Sequence, residues 1–211
     1  MKFIVSYAIP MDVSFDPRPL EGQHVRLEPL EARHIPGLIE VGAPGPETAE
    51  SIFRWMPEVF RTAEALEASL QTLLREREAG KSLPFATIEC ATNRPVGSTR
   101  FMAIDTAHRR VEIGGTWIAP AWQRTAINTE AKLLMLSHAF EVLGCIRVEF
   151  KTDAFNTRSR AAIARLSAVE EGTFRNHMIV DGGRLRDSVY FSITPPEWPE
   201  IKARLQSRLA R

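Results

Sequence analysis

Glu112 stands in Val111 Glu112 Ile113 Gly114 Gly115 Thr116 Trp117 Ile118, which reads as a strand, and Gln123 Arg124 Thr125 Ala126 Ile127 Asn128 Thr129 Glu130 Ala131 reads as a turn entering a helix. A helix amino terminus leaves backbone amides without partners and carries partial positive charge, so Gln123 to Asn128 can cradle a pyrophosphate with little help from basic side chains. A carboxylate on the strand leading in can take a proton from a nucleophile. A base beside an anion cradle points to group transfer from a phosphate-bearing cofactor. The same loop also fits an ordinary strand-to-helix connection capped by Asn128 or Thr129, and Glu112 also fits an ion-paired strand residue with Arg100 or Arg110 as partner.

Other candidates are more scattered. Asn156 precedes Ser159 to Leu166, an Ala-rich helix that it can cap. His177, in Arg175 Asn176 His177 Met178, titrates near neutrality and suits either an acceptor-pocket wall or second base, or a structural hydrogen bond on a strand. Trp55, in Ile52 Phe53 Arg54 Trp55 Met56, belongs either to the core or to the wall of an acceptor site. Arg175, Arg184, Arg186 and Asp187 read as a solvated or ion-paired hairpin face. His24, His34, His108 and His138 show no ligand spacing with carboxylates or cysteines, so no metal site is expected.

Composition narrows the class. At 211 residues, 44% hydrophobic and 25% charged, the chain can bury one substantial core. We expect an irregular arm over residues 1–22, in which Met11 is an alternative start, and a single domain over 23–211. With 27 basic and 26 acidic residues, a net charge of +1 and no long basic run, nucleic acid is a poor partner. Cys90 and Cys145 lie apart in apolar segments and read as buried thiols of a reducing compartment; no stretch could span a bilayer, so a cytoplasmic protein is expected.

The elements that must position these residues follow from periodicity. Val25 to Leu30 alternates like a strand, Ala32 to Val41 reads as a helix interrupted by Pro36, and Thr62 caps a helix with Leu66, Leu70, Leu73 and Leu74 on one stripe. Phe85 to Cys90 and Val96 to Ile104 form a hairpin, and the Glu112 strand follows as the third member of a meander. Thr129 to Leu143 is a helix, Ile146 to Lys151 a strand, Phe174 to Val180 and Arg184 to Ile193 a second hairpin around Asp181 Gly182 Gly183, and Trp198 to Leu209 a last helix. Strand, helix and strand in that order favour a parallel crossover.

Four blocks, in order, resemble the GCN5-related N-acetyltransferases, specifically the ribosomal-protein alanine acetyltransferase-like branch: Val111 to Gly114, Gln123 to Ala131, Asn156 to Ser159, and Arg165 Leu166 Ser167 Ala168. The resemblance implies an α+β fold, a mixed, bent sheet of about six or seven strands that splays after the Glu112 strand, with helices on both sides. It implies acetyl-CoA as cosubstrate, held by Gln123, Arg124, Thr125, Ala126, Ile127, Asn128, Thr129 and Asn156. A backbone amide near Trp117 or Ile118 would serve the oxyanion if Gly114 and Gly115 mark a bulge. Glu112 becomes the base that frees an amine, from a protein amino terminus or a small molecule, for direct attack in a ternary complex. Three departures stand out. Ala126 and Ser167 occupy positions usually filled by glycine, and Ile163 replaces the tyrosine that commonly protonates the departing thiolate, leaving Ser159 as candidate donor. An acyl-CoA-binding or regulatory module with little turnover is the alternative, and an exposed strand leaves a homodimer open.

Overall fold

The computed structural model describes residues 15–43 and 45–210; the expected irregular arm and the alternative start at Met11 lie outside these up to residue 14. Leu20–Glu21 (β1), at the end of the expected arm, pairs antiparallel with Val25–Pro29 (β2). Pro36 begins a helix instead of breaking one: Ala32–His34 form a 3-10 turn and Ile35–Gly42 (α1) follows, with the proline in the first turn where its missing N–H costs nothing. A helix at Pro46–Phe53 (α2) leads to Trp55, and Ala63–Glu78 (α3) is capped by Thr62, whose hydroxyl accepts from Ala65 N at 3.2 Å.

Leu83–Glu89 (β3), Arg94–Asp105 (β4) and Arg110–Ile118 (β5) form the expected antiparallel meander. Then come Ala126–Ser137 (α4), Arg147–Asp153 (β6), Thr157–Ala164 (α5), Val169–Ile179 (β7), Leu185–Ile193 (β8) and Trp198–Leu209 (α6). The sheet has eight strands in the order β1-β2-β3-β4-β5-β6-β8-β7, one more than the upper expectation; the two-residue β1 offers too little alternation to be read from sequence. The helix expected to reach Leu143 does so through a π-turn at His138–Val142, closed by Leu143 N donating to His138 O at 2.9 Å.

Helices cover both faces. On one, Met135, Leu136 and Ala139 with Ile201 and Leu205 pack on Val148, Phe150, Phe191 and Ile193; on the other, Leu38, Phe53, Leu66 and Leu70 pack on Ala86, Ile88 and Trp117. Each such fully buried aliphatic or aromatic side chain contributes roughly 1.5–3 kcal/mol. One carboxylate ties the amino-terminal strands to α4: Glu130 accepts from the amides of Gln23, His24 and Val25 at 2.9, 2.6 and 2.8 Å. The approach requires Gly22, where an added Cβ would fall 2.5 Å from the Glu130 carboxyl carbon.

Two irregularities shape the middle of the sheet. The parallel β5–β6 ladder joins Arg110, Val111 and Glu112 to Arg147, Val148 and Glu149 and ends there; β5 continues along β4, while β6 follows β8 to Asp153. The sheet therefore splits just past Glu112. The second irregularity is a bulge: Ser98 faces Trp117 while Arg100 faces Gly114, so β5 carries one extra residue, accommodated by Gly115 at φ +59°. The extra residue reverses side-chain alternation and brings Trp117 to the same face as Glu112, where its ring meets Phe53 edge-on at 5.4 Å.

Candidate active site

The strand-to-helix turn read from sequence is present, with its cap three residues earlier than the first expected candidate. Thr125, and neither Asn128 nor Thr129, caps α4: its hydroxyl accepts weakly from Ile127 N at 3.4 Å and donates to Trp122 O at 2.7 Å. The amides of Arg124, Thr125 and Ala126 find no acceptor among the described residues. The left-handed residue is Arg124, at φ +64°, whereas Ala126 is the first helical residue. The backbone therefore puts no strain on the Ala126 methyl. Asn128 Oδ1 is buried without a partner, Ile127 is buried and Thr129 half-buried. Free amides and an unanswered carbonyl suit a ligand that carries both phosphates and hydrogen-bond donors.

The split supplies the rest of the channel. Ala119 N donates to Val96 O at 2.8 Å, and since alternate residues address opposite neighbours, Ile118 turns its amide and carbonyl away from β4 into the gap. Its carbonyl accepts from Gln123 Nε2 at 2.8 Å; among the described residues no strand pairs with its amide. Gln123 Oε1 accepts from Arg158 Nη1 at 2.9 Å, which joins the cradle to α5 across the split. Asn156 caps α5 by accepting from Ser159 N at 3.0 Å, as expected, and Ser159 sits half-buried in the first turn.

Glu112 closes the inner end of the split. It is 4% exposed, and its Oε2 lies 3.3 Å from Lys151 Nζ, so its ion-pair partner is neither Arg100 nor Arg110, which are held by Glu76 and Asp105. Burial pushes the Glu112 carboxyl above its ordinary value against the pull of the Lys151 ammonium. Beneath the bulge, Lys132 is buried with no carboxylate partner among the described residues and donates to Thr116 Oγ1 at 2.7 Å and Thr99 Oγ1 at 3.3 Å. Burial pushes its amine down to about 7.

On the Glu112 face, β6 and β8 present Lys151 opposite Tyr190 and Asp153 opposite Ser188. His177 joins this group through Ser188 Oγ at 3.0 Å; burial lowers its pKa, and the Lys151 and Arg186 charges lower it further. Trp55 joins from the other side, with the guanidinium of Arg184 5.4 Å above its ring and Phe155 beside it at 6.2 Å. A cavity of ≈ 690 Å³ between α2 and the start of α5 is lined by Arg54, Trp55, Arg61, Asn156 and Arg158.

Sequence reading missed Lys151, Asp153, Lys132 and the buried state of Arg186, which is 4% exposed, not part of a solvated hairpin face. The signal for Arg186 was present: alternation along β8 places it on the face of Ser188 and Tyr190. The thiols divide, Cys145 buried with its pKa pushed up to about 11 by burial, Cys90 half-exposed. Among the described residues no three His, Cys, Asp or Glu side chains could together hold a metal ion, and no helix is long and apolar enough to cross a membrane.

Comparison with known proteins agrees with this geometry. A GCN5-related N-acetyltransferase from Brucella melitensis superposes with a TM-score of 0.84 at 35% identity, over 92% of this chain and 86% of that one. Mycobacterium smegmatis RimJ, solved in complex with CoA-disulfide, superposes with a TM-score of 0.73 at 26% identity, over 87% of this chain and 88% of that one. The Bacillus subtilis protein named Putative ribosomal N-acetyltransferase YdaF is 36% identical over 95 residues, 45% of this chain, so the chain spans about half (51%) of that relative's length. The family model described as acetyltransferase (GNAT) domain matches residues 24–169. With the α+β sheet and its split in place, the chain belongs to the GNAT acetyltransferases, a family of N-acetyltransferase enzymes that use acetyl-CoA.

Proposed function

We propose that this enzyme transfers the acetyl group of acetyl-CoA directly to a primary amine, a protein amino terminus or a small molecule, within a ternary complex. The observation that carries the reading is the split past Glu112, which has the free Ile118 amide on one wall and leads to the unpartnered amides of Arg124 to Ala126. The bound cosubstrate supplies an activated thioester carbonyl.

In this reading the amides at the start of α4 hold the pyrophosphate and Asn128 Oδ1 accepts a donor from the same molecule. The Ile118 amide stabilises the oxyanion that forms on attack. An amine must be neutral to attack, and Glu112, whose basicity is raised by burial, takes its proton. Ser159, at the start of α5, hydrogen-bonds the sulfur and relays a proton to the thiolate, its hydroxyl taking a proton from water as it gives one up. No covalent enzyme intermediate is required.

The test is thiol release from acetyl-CoA across a panel of small amines and peptide amino termini, alongside calorimetry of acetyl-CoA binding. Turnover with some amine and binding in the micromolar range are expected. Binding without thiol release from any amine would favour the acyl-CoA-binding module, and no binding at millimolar acetyl-CoA would overturn both.

A further inference from the structure

The Glu112 face of the split holds more buried positive charge than it can pair. Glu112 is matched by Lys151 at 3.3 Å. Asp153, whose side chain is fully buried, uses Oδ1 to accept from Phe155 N at 2.9 Å and Oδ2 to accept from Arg184 Nη2 at 2.5 Å. That leaves Arg186. Its closest approach to a carboxylate is 3.9 Å, from Nε to Asp153 Oδ2, and Nε is buried without a hydrogen-bond partner. Arg184 Nη1 beside it is also buried and unpartnered.

An unpaired buried cation is costly, and a guanidinium cannot escape the cost by losing its proton near neutral pH. Burial lowers the pKa of Arg186, and the charges of Asp153 and Glu112 act against that shift, which puts Arg186 within the field of the proposed base. The planar fork of a guanidinium matches a carboxylate through two parallel bonds. His177, kept from charging by burial and by Lys151 and Arg186, does not compete for such a group.

Resting on the proposed amine acetylation, we propose that Arg186, supported by Arg184, is a specificity-determining residue that binds a carboxylate on the acceptor, so that the preferred substrate is an amine bearing a nearby carboxylate. The carboxylate belongs either to a free amino acid or to an acidic side chain near a peptide amino terminus. Both present the same chemistry to Arg186.

Two sets of acceptors separate the sources: free amino acids against their amides, and short peptides with Asp or Glu against Asn or Gln in the second position. In at least one set, thiol release should show a kcat/KM about ten- to a hundredfold higher for the carboxylate member, the range expected of one charge-assisted pair. Arg186→Met should collapse that ratio toward one, and Arg186→Lys, which keeps the charge without the fork, should retain part of it. A binding measurement independent of turnover accompanies this: by calorimetry without acetyl-CoA, the N-acetylated carboxylate products should bind more tightly than their amides, and Arg186→Met should erase the difference. Melting curves of both variants establish that they fold. Turnover with no preference for carboxylates in either set, or a preference unchanged in Arg186→Met, overturns the inference while leaving amine acetylation standing. Carboxylate-selective binding with no turnover leaves this inference standing and removes the proposed reaction.

Discussion

Glu112 and Lys151 face each other at 3.3 Å where β5 and β6 part, so the Glu112 carboxylate is held between burial, which raises its pKa, and an ammonium, which lowers it. Removing Lys151 should take away the main pull that opposes burial. In Lys151→Met the acid limb of the kcat/KM profile for thiol release should move to higher pH than in the parent. Glu112→Gln should lower kcat/KM by about a hundred- to ten-thousandfold and abolish that limb. Unchanged turnover in Glu112→Gln would remove Glu112 as base.

Lys132 makes stability depend on pH in a defined direction. Its amine titrates near 7 in the folded chain, against 10.5 as the ordinary value. Below about 7 both states are charged and the fold bears the whole cost of burying the ammonium; between these values only the unfolded chain holds the proton, so stability rises with pH; above 10.5 neither does. Lys132→Met leaves Thr99 and Thr116 hydrogen-bonded to each other at 2.7 Å. It should stabilise the protein more at about pH 6 than at about pH 9, by roughly 1–3 kcal/mol in denaturant melts.

The cradle's backbone predicts opposite outcomes for neighbouring glycine substitutions. Ala126→Gly adds flexibility at an unstrained first helical position and should cost about 0.5–1 kcal/mol without tightening acetyl-CoA binding. Arg124→Gly relieves a left-handed non-glycine residue and should raise stability by roughly 1 kcal/mol in thermal melts. Calorimetry showing markedly tighter binding in Ala126→Gly would contradict the assignment of strain to Arg124.

Glu130 holds the β1–β2 turn against α4 through three backbone amides, beside the cradle. Glu130→Ala should destabilise by about 2–4 kcal/mol, because hydrogen bonds to a charged group are lost and a buried amide is left unsatisfied. Gly22→Ala should also lower the melting temperature, since its Cβ would overlap that carboxylate.

What the amino-acid order determined by itself is local. Thr62 and Asn156 cap their helices because a cap depends on a side chain reaching an amide three residues on. The meander, the crossover helix and the turn that leads into it follow from periodicity and turn chemistry, and the order of the four motif blocks pointed to the family and thus to the mixed sheet. Only the tertiary structure decided the rest. The partner of Glu112 is Lys151 because a parallel strand, reached through α4, sets it alongside; nearby Arg100 and Arg110 are taken by other acids. Trp117 faces the Glu112 side because one extra residue at Gly115 reverses the alternation, and that register depends on what β4 places opposite. The burial of Lys132 and Arg186 is invisible in a chain where most lysines and arginines lie at the surface, since desolvation depends on which elements pack over a side chain and not on its neighbours in sequence.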